Sequence, residues 1–89
     1  MQIENFIRVK LYMSNGSDLT FELEPQDGAT SLGEKHAREI VKNCLGYVGN
    51  TQTLTTLNFK ARGGKYIAFK CDNVVAAEAT LVTVIDDYY

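Results

Sequence analysis

Hydrophobic and polar residues alternate along residues 5–13 (NFIRVKLYM). Ile7, Val9, Leu11 and Met13 share one face, and Phe6, Arg8, Lys10 and Tyr12 share the other. A period of two over this length predicts a half-buried strand. The turn cluster SNGSD follows, and then LTFELE alternates again, with Leu19, Phe21 and Leu23 inward and Thr20, Glu22 and Glu24 outward. A one-residue slip would exchange the two faces, so the register of this hairpin is constrained. A five-residue loop over residues 14–18 sets Met13 opposite Leu19, Leu11 opposite Phe21 and Val9 opposite Leu23. It also sets Lys10 against Glu22 and Arg8 against Glu24, opposite-charge pairs that contribute roughly 0.2–1 kcal/mol each.

Pro25 ends the second strand, and PQDGAT reads as a loop. SLGE then has the form of a capping box, with Ser31 and Glu34 satisfying each other's backbone N–H groups. The period changes to that of a helix running to about residue 47. Leu32, Ala37, Ile40, Val41, Cys44, Leu45 and Val48 form its apolar stripe. Glu34 and Arg38 are a favourable i,i+4 pair, Lys42 suits the negative end of the dipole, and Gly46 or Gly49 closes the helix.

After a polar linker (GNTQT), alternation returns in TLNFKA, YIAFKC and VVAAEATLV. Leu57, Phe59, Ile67, Phe69, Cys71, Val75, Ala77, Ala79 and Leu81 point inward. A three-residue loop, Arg62-Gly63-Gly64, sets Phe59 opposite Ile67 and supplies a glycine for the left-handed position. Asp72-Asn73 makes the next turn, so these three strands are expected to form a meander. The order β-β-α-β-β-β predicts an α+β fold: a single antiparallel sheet with one helix packed on one face and the other face uncovered. Residues 1–89 read as one small domain, with a tail from about residue 84 to 89 that is either frayed or part of an interface.

Composition narrows the functional classes. Of 89 residues, 45% are hydrophobic and 22% charged, as in an ordinary globular domain rather than a disordered one. There is no apolar run long enough for a membrane span, and the first ten residues lack a signal-peptide pattern. Two cysteines without a CxxC spacing predict free thiols and a cytoplasmic protein. A net charge of −2 gives no long-range attraction to nucleic acid or to a membrane.

Candidate chemistry is sparse. RGGK lacks P-loop spacing, and turn geometry alone accounts for its glycines. Residues 60–70 hold four basic residues and no acid, whereas the rest of the chain has five basic and eleven acidic residues. Lys60, Arg62, Lys65, Tyr66 and Lys70 therefore form a candidate nucleic-acid contact, with Glu78 expected on the same face beside Ala68. Phe6, Tyr12, Val74, Val82, Val84, Ile85, Tyr88 and Tyr89 form a candidate protein interface on the uncovered face and C-terminal strand. His36 stands alone on the helix, and Cys44 and Cys71 fall on inward faces, so no catalytic, metal or cofactor site is expected. The NGS at residues 15–17 matches a glycosylation sequon only by chance in a cytoplasmic chain. The leading expectation is a non-catalytic module that binds itself or another protein. The alternative is a nucleic-acid binder.

Overall fold

Alternation extends past the N-terminal end of the expected first strand, and so does the strand. In the computed structural model, which describes residues 2–24 and 30–86, β1 spans Gln2–Met13. Its partner β2 spans Asp18–Leu23 and is half as long. The hairpin between them closes through Ser14, Asn15 and Gly16. Met13 N–H donates to Ser17 O (2.9 Å), Gly16 N–H donates to Met13 O (3.0 Å), and Gly16 sits at φ +88°. Asn15 Oδ1 accepts from both the N–H and the hydroxyl of Ser17. This turn chemistry favours a three-residue loop with glycine in the left-handed position.

The expected five-residue loop is therefore corrected, and the register moves by two residues. Leu11 faces Leu19, Val9 faces Phe21 and Ile7 faces Leu23. A shift of two keeps every apolar residue on its face, which is why alternation could not distinguish the two registers. The charge partners do change. Arg8 pairs with Glu22 at 3.0 Å, Lys10 lies 3.8 Å from Asp18, and Glu24 is left for a different partner.

The helix α1 spans Thr30–Cys44. It begins one residue before Ser31, which therefore lies inside the helix rather than at its cap. Glu34 accepts from Arg38 at 2.9 Å, as the i,i+4 spacing implies. The helix stops three residues short of the expected end. Gly46, at φ +95°, closes it, with its N–H donating to Asn43 O. The supposed linker is a small hairpin of β3 (Tyr47–Val48) and β4 (Thr51–Gln52), turned at Gly49-Asn50. Val48 thus leaves the helical stripe and is 55% exposed.

β5 (Thr56–Lys60) and β6 (Tyr66–Lys70) form the next hairpin, with Phe59 opposite Ile67 and Ala61 N–H donating to Lys65 O across Arg62-Gly63-Gly64. The meander ends there. A short turn over Cys71–Asn73 redirects the chain, and β7 (Val74–Asp86) pairs antiparallel with β1 instead of β6. Ladder length explains the choice. β6 offers five residues, whereas β1 offers a twelve-residue ladder from Gln2↔Asp86 to Met13↔Val74. The single expected sheet is accordingly replaced by three: β2-β1-β7, β3-β4 and β5-β6.

One face of the three-stranded sheet holds the core. Ile7, Val9 and Leu11 are fully buried, joined by Phe21, Leu23, Ala37, Ile40 and Cys44. The helix packs against β1 and β7, while the β5–β6 hairpin covers the β2 side through Phe59, whose ring lies 5.3 Å from that of Phe21. A register irregularity between Tyr12 and Met13 corresponds to one extra residue in β7. It reverses the parity at the start of that strand. Val74 is buried and Val75 is 64% exposed, the opposite of the expected assignment.

Candidate functional site

The outer face of the sheet, expected to be bare, carries a charge network instead. Arg62 sits at the tip of the β5–β6 hairpin, and that tip packs beside β2. Its guanidinium reaches over the sheet edge and lies 4.2 Å above the Phe6 ring centroid. It donates to Glu4 Oε2 (3.0 Å) and Glu24 Oε1 (3.1 Å), and lies 3.9 Å from Glu22. Phe6, though on the outer face, is therefore only 5% exposed. Next to it, Arg8 binds Glu22, Lys10 lies 5.3 Å from the centre of the Tyr12 ring, and the Tyr12 hydroxyl donates to Glu78 at 3.0 Å.

These contacts rearrange both candidate sets. Glu78 faces Lys10 across the β1–β7 ladder and is not beside Ala68, because β7 left the hairpin. Arg62 is removed from the basic set by its three carboxylates. Lys60, Lys65, Tyr66 and Lys70 are exposed on the hairpin, with Lys60 paired across from Tyr66 and Lys70 at the far end opposite Thr56. Of the interface set, Phe6 and Val74 are buried and offer no surface to a partner. Tyr12 is bonded to Glu78, and Val82 is half-buried beside Phe6. Val84 and Ile85 are exposed, and Tyr88 and Tyr89 lie outside the described residues.

What the structure adds is the free edge of β7. Among the described residues, no strand pairs with that edge. The direction of its backbone groups follows from the β1–β2 turn. Met13 N–H points to β2, so odd-numbered β1 residues bond β2 and even-numbered ones bond β7. Even-numbered β7 residues therefore bond β1. The N–H and C=O groups of Ala77, Ala79, Leu81, Thr83 and Ile85 face outward from the ladder, unpaired within the sheet.

Beyond Ile7 and Leu23, where the β1–β2 ladder ends, β1 and β7 continue as a two-stranded arm, and the molecule measures 48 × 26 × 19 Å. The arm exposes Ile3 (56%) and Ile85 (57%), which are cross-strand partners, beside Leu81 (48%). Asn5 and Thr83, between them, are joined by a hydroxyl hydrogen bond of 2.8 Å. Next to the free edge, a groove of about 630 Å³ runs between α1 and β7, lined by Glu34, Ala37, Arg38, Val41, Lys42 and residues 79–81. Neither Ile3 nor Leu81 was among the sequence candidates. Leu81 looked like core because the helix was expected to cover the whole inner face. The signal that identifies them is the length of alternation at both chain ends, which exceeds what a fifteen-residue helix can cover.

Among the described residues, nucleophiles and metal ligands do not converge. Burial, together with Cys71, pushes the Cys44 thiol up to about 12, and burial likewise raises Cys71. Both thiols are free and packed. Among the described residues no group of three or more His, Cys, Asp or Glu side chains is placed to hold a metal ion, and no helix is long and apolar enough to cross a membrane. No family model, curated protein or solved structure matches the chain.

Proposed function

We propose that this chain is a non-catalytic association module that works by accepting a strand on the free edge of β7. The observation that carries this reading is the edge itself: thirteen residues long, with five outward-facing backbone pairs and no lysine or proline to guard it. Sheet edges that stay unpaired are usually blunted by such residues or kept short. Glu78 is the only charge in VVAAEATLVTVI, and it lies on the outer face, bonded to Tyr12. Addition of a strand satisfies the open backbone groups and covers Leu81 and Ile85.

The test is hydrogen exchange. A synthetic peptide with the sequence of residues 75–86, supplied in excess, provides a strand for the edge. The amides of Ala77, Ala79, Leu81, Thr83 and Ile85 are then expected to exchange slowly. Fast exchange at all five, with the even-numbered amides protected, overturns the reading.

A second reading, nucleic-acid binding through the β5–β6 hairpin, is favoured by one observation: Tyr66 is 80% exposed beside Lys60, as a stacking platform would be. It is the weaker of the two, since Arg62 is already bound by carboxylates and the chain is net acidic. Binding of labelled single strands that weakens steeply with salt is its test.

A further inference from the structure

Granted the edge reading above, we propose that the strand it accepts is β7 of a second copy, in an antiparallel register centred on Leu81. Two-fold pairing requires an edge complementary to itself, and three features of β7 meet that requirement.

The outward-facing groups occupy residues 77–85, whose midpoint is Leu81. Centring the two-fold there pairs Ala77 with Ile85 of the other copy, Ala79 with Thr83, and Leu81 with itself. All five outward-facing residues on each chain are then bonded, along a seam of roughly 30 Å. Any other centre leaves some of them unpaired.

Side-chain size is complementary in the same register. The edge runs from small residues (Ala77, Ala79) at its body end to larger ones (Leu81, Thr83, Ile85) toward the arm. Antiparallel pairing lays the arm of one copy beside the body of the other. The larger side chains then stand next to the alanines, in the groove beneath Ala37 and Val41 of α1. Ile85 and Leu81, exposed in the single chain, become covered.

Charge opposes the pairing only where Glu78 stands diagonal to Asp86 of the other copy, on the solvent-facing side of the seam where salt screens it. On the outer face Thr80 meets Val82, and Glu78 meets Val84, of the other copy. The two Glu78 carboxylates stand six residues apart along the seam, roughly 20 Å and beyond the Debye length at physiological salt. The product is a six-stranded sheet, β2-β1-β7-β7-β1-β2, with both helices on one side. So narrow a seam is at the weak end of stable interfaces, and a micromolar dimer is expected.

Charge exchange at position 81 tests the proposal, because only there does a residue meet its own copy. Wild-type protein, Leu81→Lys, Leu81→Glu and an equimolar mixture of the two variants are compared by sedimentation, with circular dichroism confirming the fold. The wild type is expected to dimerise. Each variant alone is expected to weaken the dimer by about 10–100-fold as like charges meet, and the mixture is expected to restore it. Dimers that persist in both single variants, or a mixture that stays monomeric, overturn the register. A wild type that is monomeric at ~500 µM overturns self-pairing. The edge reading then stands or falls separately, on whether the strand peptide protects the five amides.

Discussion

Replacing Arg62 with alanine tests how the outer face is closed. The side chain is 25% exposed and spans four groups: the Phe6 ring at 4.2 Å, Glu4 at 3.0 Å, Glu24 at 3.1 Å and Glu22 at 3.9 Å. A cation held over a ring contributes ~0.5–2 kcal/mol, depending on how far it is desolvated. Each partly exposed ion pair contributes ~0.2–1 kcal/mol, and pairs sharing one guanidinium do not add fully. Arg62→Ala also uncovers Phe6 and removes the ion pair made by Glu4 and by Glu24, while Glu22 keeps Arg8 at 3.0 Å. The expected loss is about 2 kcal/mol, which in a domain this small lowers Tm by ~8–16 °C. Arg62→Met separates the contributions, because it still covers the ring but has no charge. About half of the loss is expected to remain in that variant. Urea denaturation at low and high salt is the assay, and the gap between wild type and Arg62→Met should narrow as salt screens the carboxylates. An Arg62→Ala protein within ~0.3 kcal/mol of wild type, inside the scatter of ordinary surface substitutions, would refute the claim that this residue closes the face.

Other consequences follow from single residues. Gly46→Ala is expected to cost about 2 kcal/mol, because a Cβ there meets Leu54 O at 3.0 Å at φ +95°. Gly16→Ala, at φ +88° with nothing within 4 Å, is expected to cost about 1 kcal/mol, and equal losses in denaturation would contradict the close approach at Gly46. The raised Cys44 thiol stabilises the fold fully below its ordinary value of 9.0, and that contribution declines as pH rises from there toward about 12. Cys44→Ala should therefore lose less stability than wild type between pH 8 and pH 10, by about 1 kcal/mol, and identical pH slopes would contradict the burial. Lys60→Glu combined with Lys70→Glu is expected to leave self-association unchanged, as judged by sedimentation. A loss of the dimer in that variant would move the interface to the β5–β6 hairpin.

The five longer strands and the helix were legible because each has one apolar face and periodicity reports faces directly, whereas the two-residue strands β3 and β4 are too short to show a period. Phe59 opposite Ile67 could be read because glycine chemistry and alternation agreed on one loop. Where alternation alone had to decide, it could not separate registers two residues apart, so Arg8 and Glu22 were paired with the wrong neighbours. The partner of β7 was not legible either. Its sequence says that it is a strand, but proximity in the chain favoured β6, while ladder length selected β1. That choice moved Glu78 to Tyr12 and created the arm. Arg62 looked like a free cation at a hairpin tip. Its role depends on Glu4, Glu22 and Glu24, which are distant in sequence and meet only once β2 and the hairpin are packed. Parity hid the edge at Leu81, since an inward-facing residue reads as core wherever a cover is assumed.

Solution mass measures the central claim most directly. Sedimentation equilibrium of the full chain, from ~10 to ~500 µM, covers the range in which a micromolar dimer forms. The mass is expected to rise from 9.9 kDa toward twice that value, and to do so at least as readily at high salt as at low, because the seam is backbone and apolar and salt screens Glu78 from Asp86. A mass of 9.9 kDa at every concentration would contradict self-association through β7, and a rise that high salt abolishes would contradict the apolar seam.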